Sequence, residues 1–383
     1  MKRERPISFY YATVAPLSEA ALEAGREYLE AYGRDGSPEI LFEYERRRCV
    51  IEGIAHEAAT LLHCDPSEIT FIPNTTYGIN VASHALPLGP GDEIVVQTNE
   101  YKSNFWPWIE KRERDGCVVR EIAARDNAQG FEDLCAAIGP ATKAVAVSWI
   151  QYYDGFVSDL DRLSRLCREY GAYLVVDAVQ GLGVRELDLA KTRIDILAAG
   201  GQKYLCAGPG GGILYVNRET MPSLRDTFVG IRSIDSDAHG AYLLKPGADR
   251  FLTGTVDMQA AVQLHAALRE TNETAITAIE SRNHWLLHEF KAALEINGIP
   301  YINHGERQGN IISLTVPDPK GLVDFLAEDR IYIKQIADVA RLSFHHTSTL
   351  ADFEELVERI NLFLVGAPVN AIPAEAVADR RTG

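Results

Sequence analysis

From residue 69 onward, apolar runs about one strand long alternate with amphipathic stretches of helical period. The runs are ITFIP at 69–73, EIVVQT at 93–98, CVVREI at 117–122, AVAVSWI at 144–150, AYLVVDAV at 172–179, IDILAAG at 194–200 and GILYV at 212–216. They are rich in Val and Ile and apolar throughout, the pattern of strands buried on both faces. Helical segments separate several of them, for example DLDRLSRLCREYG at 159–171. This rhythm predicts an α/β architecture with a mostly parallel sheet covered by helices. Ahead of it, 17–31 and 40–63 have helical spacing, and Asp65-Pro66 breaks the chain before the first run. The texture changes near residue 257. One long helical stretch over 257–296 precedes the short strands GNIISLTV, RIYIKQI and VARLSF, with the helices GLVDFLAE and LADFEELVERINLFL between and after them. That reads as a smaller α+β domain. The expected division is an N-terminal segment 1–20, a large domain 21–256, a small domain 257–366, and a disordered tail 367–383 that is short of large apolar residues.

The 383-residue chain carries a formal net charge of −16. Nucleic acid and anionic membrane surfaces both require a basic face, so neither is expected as the main partner. A local cationic pocket for a small anion is compatible with that balance. No apolar run reaches the roughly 20 residues of a membrane span. The basic start MKRERPISFYY lacks the apolar stretch of a signal peptide. Cys49, Cys64, Cys117, Cys135, Cys167 and Cys206 are scattered, with no CxxC pair. Neither a metal site nor a disulfide framework is expected. Reduced thiols in the cytoplasm are the simple reading.

Ligands of open parallel sheets sit at the carboxyl ends of the strands. Chemically loaded segments occupy such ends here. PNTTYGIN at 73–80 follows a strand and opens a helix, a place suited to a phosphate. Asp177 ends the strongest strand, where a carboxylate can hold a proton on a ring nitrogen. Lys203 follows IDILAAG within GGQKYL, just before the glycine-rich CAGPGGG, and is placed as a nucleophile. Arg341, in the smaller domain, suits a carboxylate held by two hydrogen bonds. Each feature alone has an ordinary explanation: a helix cap, a turn residue, a solvated loop lysine, a surface ion pair. Their order raises the odds. An anion cradle, then a strand-end Asp, then a Lys one unit later are the parts that pyridoxal phosphate needs.

On these segments, together with GDEIVVQTNEYKSNFWPW, VSWIQYYDG, VVDAVQ, GGQKYLCAGPGGGILYV, GTVD at 254–257 and ARLSFHHT, the chain resembles the class V aminotransferase family. These are fold-type I pyridoxal phosphate enzymes. Within them it is most similar to the branch of cysteine desulfurases, selenocysteine lyases and isopenicillin N epimerase-like proteins. The resemblance runs from about Tyr10 to Leu364. It implies a seven-stranded sheet in the large domain and an N-terminal segment that lines the site. It implies that Lys203 holds pyridoxal 5'-phosphate as a Schiff base and moves protons at Cα. Asp177 would pair with the pyridinium nitrogen, and Gln180 would hydrogen-bond the phenolic oxygen. Thr75 and Thr76 would bind the phosphate, with Gln202 donating to it, and Tyr101 would stack on the ring. Gly254 and Thr255 would reach the phosphate of a neighbouring subunit, which implies a homodimer. Arg341 would bind the substrate α-carboxylate, with Tyr11, Thr13 and Tyr152 as further substrate contacts. Tyr153 and Asp154 share the loop of Tyr152. Trp106 and Trp108 are read as helix-packing residues, and His345-His346 as solvated loop residues.

Two departures matter. The family often has Ser or Thr, then His, just before the lysine, where this chain has Gly200 and Gln202. Desulfurases carry a catalytic Cys on a loop shortly before the substrate-binding Arg. This chain runs RIYIKQIADVARLSF there, with no Cys and no room for that loop. The first reading is therefore an amino-acid lyase that cleaves C–S bonds by β-elimination without a persulfide cysteine. Transamination is the runner-up, and epimerisation and decarboxylation stay open. A non-catalytic regulatory protein of the same fold is the reading from another class. Retention of Asp177, Lys203 and Arg341 together speaks against it.

Overall fold

The computed structural model describes residues 5–35, 40–123, 126–236 and 242–366. The expectation for the tail 367–383 lies outside the described residues. In chain order the elements begin with β1 (Ile7–Ser8), α1 (Glu19–Asp35), α2 (Ile40–Leu62), β2 (Ile69–Ile72), α3 (Thr75–Ala85), β3 (Glu93–Gln97), α4 (Lys102–Asp115) and β4 (Val118–Ile122). They continue with α5 (Asn127–Ala137), β5 (Thr142–Ser148), α6 (Leu160–Tyr170), β6 (Tyr173–Asp177), β7 (Ile196–Gly200), β8 (Gly212–Val216), β9 (Ile234–Ser236) and β10 (Tyr242–Leu244). The rest are α7 (Met258–Thr274), α8 (Ile276–Ile296), β11 (Ile311–Leu314), α9 (Pro319–Glu328), β12 (Ile331–Tyr332), β13 (Lys334–Ile336), β14 (Val339–Ser343) and α10 (Leu350–Gly366).

The seven apolar runs form one sheet in the order β2-β8-β7-β6-β5-β3-β4. Neighbours from β7 to β4 run parallel, and β8 is antiparallel to both β7 and β2. The loop 201–211 is too short for a crossover, which takes about a dozen residues or more, so β8 must return antiparallel. Pairing β2 against β8 then gives β2 the direction of β7. The carboxyl ends of β2, β3, β5, β6 and β7 therefore open on one edge. Along each strand, side chains alternate between two cores. Val95, Val147 and Val176 face one layer with Phe131, Leu163 and Ile54. Ile94, Ala146 and Val175 face the other with Ile79 and Trp108. The exception is β4, an edge strand that pairs only with β3 and is mostly exposed, whereas the other edge strand, β2, is buried with α2 packed on it.

The helical stretch 257–296 breaks at Ala275, whose φ is 67°. Its halves go to different cores. Leu264 and Leu268 of α7 lie under the large sheet, with α7 packed on α1 and α2. Leu286 and Phe290 of α8 join Phe9, Leu342 and Phe353 in a third core, beside the antiparallel sheet β11-β14-β13. Phe290 and Phe353 stack with ring centroids 4.5 Å apart. The N-terminal segment bridges the two regions. β1 pairs with β12, Phe9 enters the third core, and Ala12 enters the first. Beyond it, Ala15 N–H donates to Gln202 O at 2.9 Å and Ser18 N–H to Cys206 O at 2.9 Å. The segment is thus laid directly along the loop that holds Lys203.

Candidate active site

α3 begins at the carboxyl end of β2. Asn74 caps it by accepting from Tyr77 N–H at 2.9 Å. The first N–H groups of a helix have no partner within it. Those of Thr75 and Thr76 take none elsewhere among the described residues, so they stay open to an anion at the positive end of the helix. Thr75 Oγ1 accepts from Gly200 N–H at 2.9 Å, which ties this cradle to the end of β7. Thr76 Oγ1 shares a hydrogen bond with Ser103 Oγ at 2.7 Å. A Cβ at Gly200 would lie 2.2 Å from Gln202 Oε1, the end of a flexible side chain that would have to swing aside. The Gln202 side chain thus fills the space that a hydroxyl-bearing residue at 200 would take.

Asp177 is buried at the end of β6, with one carboxylate oxygen accepting from Val179 N–H at 3.0 Å. Burial raises its pKa, and the nearby Lys203 amine opposes that rise. The same burial lowers Lys203 from its ordinary 10.5 to about 8, with Asp177 pulling the other way and Arg341 and Lys334 pushing it further down. Desolvation disfavours the ammonium form, so about a tenth of the amine is free at pH 7 and half at about pH 8. The Lys203 Nζ lies 5.8 Å from the Tyr101 ring centroid. Tyr101 in turn meets Tyr152 edge-on at 5.1 Å. Behind Asp177 sits Glu100, the residue just before Tyr101. Its carboxylate accepts from Ser148 N–H at 2.8 Å, Gln151 Nε2 at 2.9 Å and Asn104 Nδ2 at 3.1 Å. It also bonds Ser148 Oγ. Burial raises its pKa, and the Asp177 charge adds to the rise. Gln180 donates to Ala12 O at 3.1 Å, while its Oε1 is buried without a partner.

Arg341 projects from β14 into the same region. Its Nη1 donates to Tyr152 O at 2.6 Å and its Nη2 to Thr13 Oγ1 at 2.7 Å. Its Nε is buried without a partner. A guanidinium has five N–H donors, so further donors remain for a carboxylate. Burial depresses its pKa, and among the described residues no carboxylate pairs with it.

Not every expected residue joins this group. Tyr11 stacks on His345 at 5.0 Å and on Tyr204 at 6.5 Å, and lines a separate cavity of about 370 Å³ with Cys206 and His346. Thr13, not Tyr11, is the residue of that segment bonded to Arg341. His345 is not solvated: it is 7% exposed, and its Nε2 lies 3.2 Å from Tyr204 O. Burial lowers its pKa to about 3, so it is neutral. Tyr153 OH donates to Asp338 Oδ1 at 2.8 Å, and buried Asp154 pairs with His304 at 2.8 Å. Trp108 packs in the core, but Trp106 is 55% exposed. A Cβ at Gly254 would meet open space within this chain. Lys334, which sequence reasoning passed over, does join the group. A signal for it existed: a two-residue turn at Ala337-Asp338 pairs 336 with 339, 335 with 340 and 334 with 341.

The assembled groups fit pyridoxal phosphate. Open helix N–H groups suit its phosphate, buried Asp177 suits a protonated ring nitrogen, and the partly free Lys203 amine suits its carbonyl carbon. No group of three or more His, Cys, Asp or Glu residues able to hold a metal occurs among the described residues. No helix among them is long and apolar enough to cross a membrane. A probable cysteine desulfurase of Pyrococcus abyssi is 27% identical over 333 residues, covering 82% of this chain and 81% of the relative. The solved complex of the cystine C–S lyase C-DES with cysteine persulfide has a TM-score of 0.86 at 23% identity, covering 94% of this chain and 98% of that one. The apo cysteine desulfurase of Thermococcus onnurineus NA1 has a TM-score of 0.83 at 23% identity, covering 94% and 95%. At that identity the two structures establish a shared fold. The family model for aminotransferase class-V matches residues 7–356, and with that match over nearly its whole length the chain belongs to the class-V aminotransferase family.

Proposed function

We propose that this protein is a pyridoxal phosphate-dependent lyase that cleaves the C–S bond of a cysteine conjugate by β-elimination, without a persulfide-carrying cysteine of its own. The observation that carries the reading is the Lys203 amine, lowered to about 8, facing buried Asp177 with Arg341 across from both. When bound, pyridoxal phosphate supplies an electron sink for charge developing at the substrate Cα. Asp177 keeps a proton on the ring nitrogen, because a buried carboxylate is stabilised by an adjacent positive group. Arg341 fixes the α-carboxylate and so orients the Cα–H bond. Lys203 takes the Cα proton as the Cβ–S bond breaks and the thiolate departs, as expected of a positioned base with a pKa near the working pH.

Several features support the absence of a protein thiol. The last cysteine in the chain is Cys206. It is buried, its thiol is pushed up to about 12, and its Sγ faces Tyr204 O and His345 Nε2 in the cavity lined by Tyr11. Burial also pushes Cys64 to about 12 and Cys135 to about 11. Thiols so raised are inert. The segment between β12 and Arg341 is closed by the tight β13–β14 hairpin, which leaves no loop to carry a cysteine. With S-alkyl cysteine as substrate, the expected products are free thiol, pyruvate and ammonia in equal amounts, the last two by hydrolysis of the released enamine with water; thiol and pyruvate are measured by a thiol reagent and a coupled dehydrogenase. Conversion of the cofactor to its amine form with neither product would instead establish transamination.

The same reading includes a cytoplasmic homodimer. Phe228, Val229 and Ile231 are 50%, 46% and 84% exposed. Their loop is fastened beside Gly254-Thr255, with Arg232 N–H donating to Thr253 O at 3.3 Å. Exposed apolar residues grouped on one loop mark an interaction surface. The free, scattered thiols agree with a reducing compartment. Ile231→Asp, at a position this exposed, should fold normally and sediment as a monomer. An unchanged dimer would place the interface elsewhere.

A further inference from the structure

We propose that Lys334 makes this site selective for α-amino acids whose side chain carries a second anionic group, such as a carboxylate, sulfinate or sulfonate. The inference rests on the amino-acid reading above and narrows its substrate class. It starts from the β13–β14 hairpin. The turn at Ala337-Asp338 places Lys334 directly opposite Arg341. Directly opposed residues of an antiparallel pair project to the same face, with Cβ atoms about 4.5–5.5 Å apart, and like charges there repel. Among the described residues neither cation has a carboxylate within ion-pair distance. Arg341 is held by the neutral Tyr152 O and Thr13 Oγ1. Lys334 Nζ rests 5.7 Å from the Tyr10 ring centroid, and Tyr10 itself bridges to Ser343 of β14. Lys203 is a third cation within Coulombic reach of both. The acids near this group are Asp177, committed to the Lys203 side, and Glu100, whose oxygens are filled by four donors.

One α-carboxylate satisfies Arg341 through its remaining donors. Lys334 then still presents three N–H donors and an unbalanced charge. A second anion on the substrate neutralises it, and a neutral side chain leaves it exposed to the repulsion. Lys334 is half-buried, so its charge is screened less than at an open surface and differs in effect from an ordinary surface lysine.

The test is a spectral titration of the cofactor-loaded protein with L-aspartate and L-cysteate, against their neutral counterparts L-asparagine and L-alanine. The wild type should bind the anionic pair about tenfold more tightly. In Lys334→Gln the affinity for the anionic pair should fall about tenfold relative to that for alanine, so that the preference vanishes. Equal affinities in the wild type would overturn the proposal. So would a Lys334→Gln variant that loses alanine and aspartate alike, because Lys334 would then serve the α-carboxylate. Failure of the cofactor band to form on wild-type protein would count against the pyridoxal reading instead. In that event calorimetric titration of the apo protein with the same four compounds decides on Lys334, since both cations belong to the chain. Circular dichroism checks that the variant is folded.

Discussion

Lys203→Ala is expected to abolish both the visible absorbance band of the cofactor-loaded protein and the borohydride-trapped adduct, and to lower turnover by roughly 10²–10⁴-fold, the usual worth of a positioned acid–base. Both losses follow from one atom. The Lys203 Nζ is the amine presented beside Asp177 at the end of β7. Survival of the trapped adduct in the variant would move the attachment to another lysine. The wild type adds a pH signature. Only the free amine attacks a carbonyl carbon, and half of it is free at about pH 8. Uptake of pyridoxal phosphate by apo protein should therefore accelerate as pH rises through about 8, and level off above it. The sign carries into stability. Lys203 has a folded-state pKa below its ordinary 10.5, so between about 8 and 10.5 the unfolded chain binds more protons than the native one. Stability contributed by this group rises with pH across that window, and its cost is fully present below about 8.

Arg341→Ala should raise KM for the amino-acid substrate by roughly 30- to 4000-fold, the equivalent of about 2–5 kcal/mol for truncating one partner of a buried, hydrogen-bonded charge pair. Cofactor loading, followed by absorbance, should change little, because Arg341 lies on β14 and takes no part in the Thr75–Thr76 cradle. The variant also leaves Thr13 Oγ1 and Tyr152 O without their guanidinium donors. Some loss of thermal stability is therefore expected beside the kinetic effect. A structural role alone would lower kcat and cofactor content together. An isolated rise in KM is the outcome that identifies the carboxylate site, and an unchanged KM would remove Arg341 from it.

The strands, the helix-strand alternation and the strand-end positions of Thr75, Asp177 and Lys203 were legible in the sequence, because each depends on local pattern. A strand buried on both faces must be apolar throughout, and a ligand edge concentrates polar residues just past such runs. The same logic failed at β4. Its apolar run does not reveal that it is an edge strand left largely uncovered, since pairing order and cover are set by contacts distant in sequence. The stretch 257–296 read as one helix for the same reason. Its periodicity continues through Ala275, while the burial of Leu264 under the large sheet and of Phe290 in the third core requires a break. His345 was misjudged because a histidine in a loop gives no local sign that Tyr11 will stack on it.

The sequence by itself determined the α/β class, singled out Lys203, Asp177 and Arg341 as candidates for one site, and showed the lack of a cysteine near that arginine. Periodicity, residue type and order along the chain suffice for these. Only the tertiary structure decided that Thr13 and the Tyr152 carbonyl hold Arg341 and that Gln202 occupies the space over Gly200. It alone decided that Glu100 lies behind Asp177 and that Lys334 stands beside Arg341 with no acid to balance it. Those facts depend on side chains brought together from segments far apart in the chain. Burial then acts on all of them at once, and it is burial that sets the charge of each.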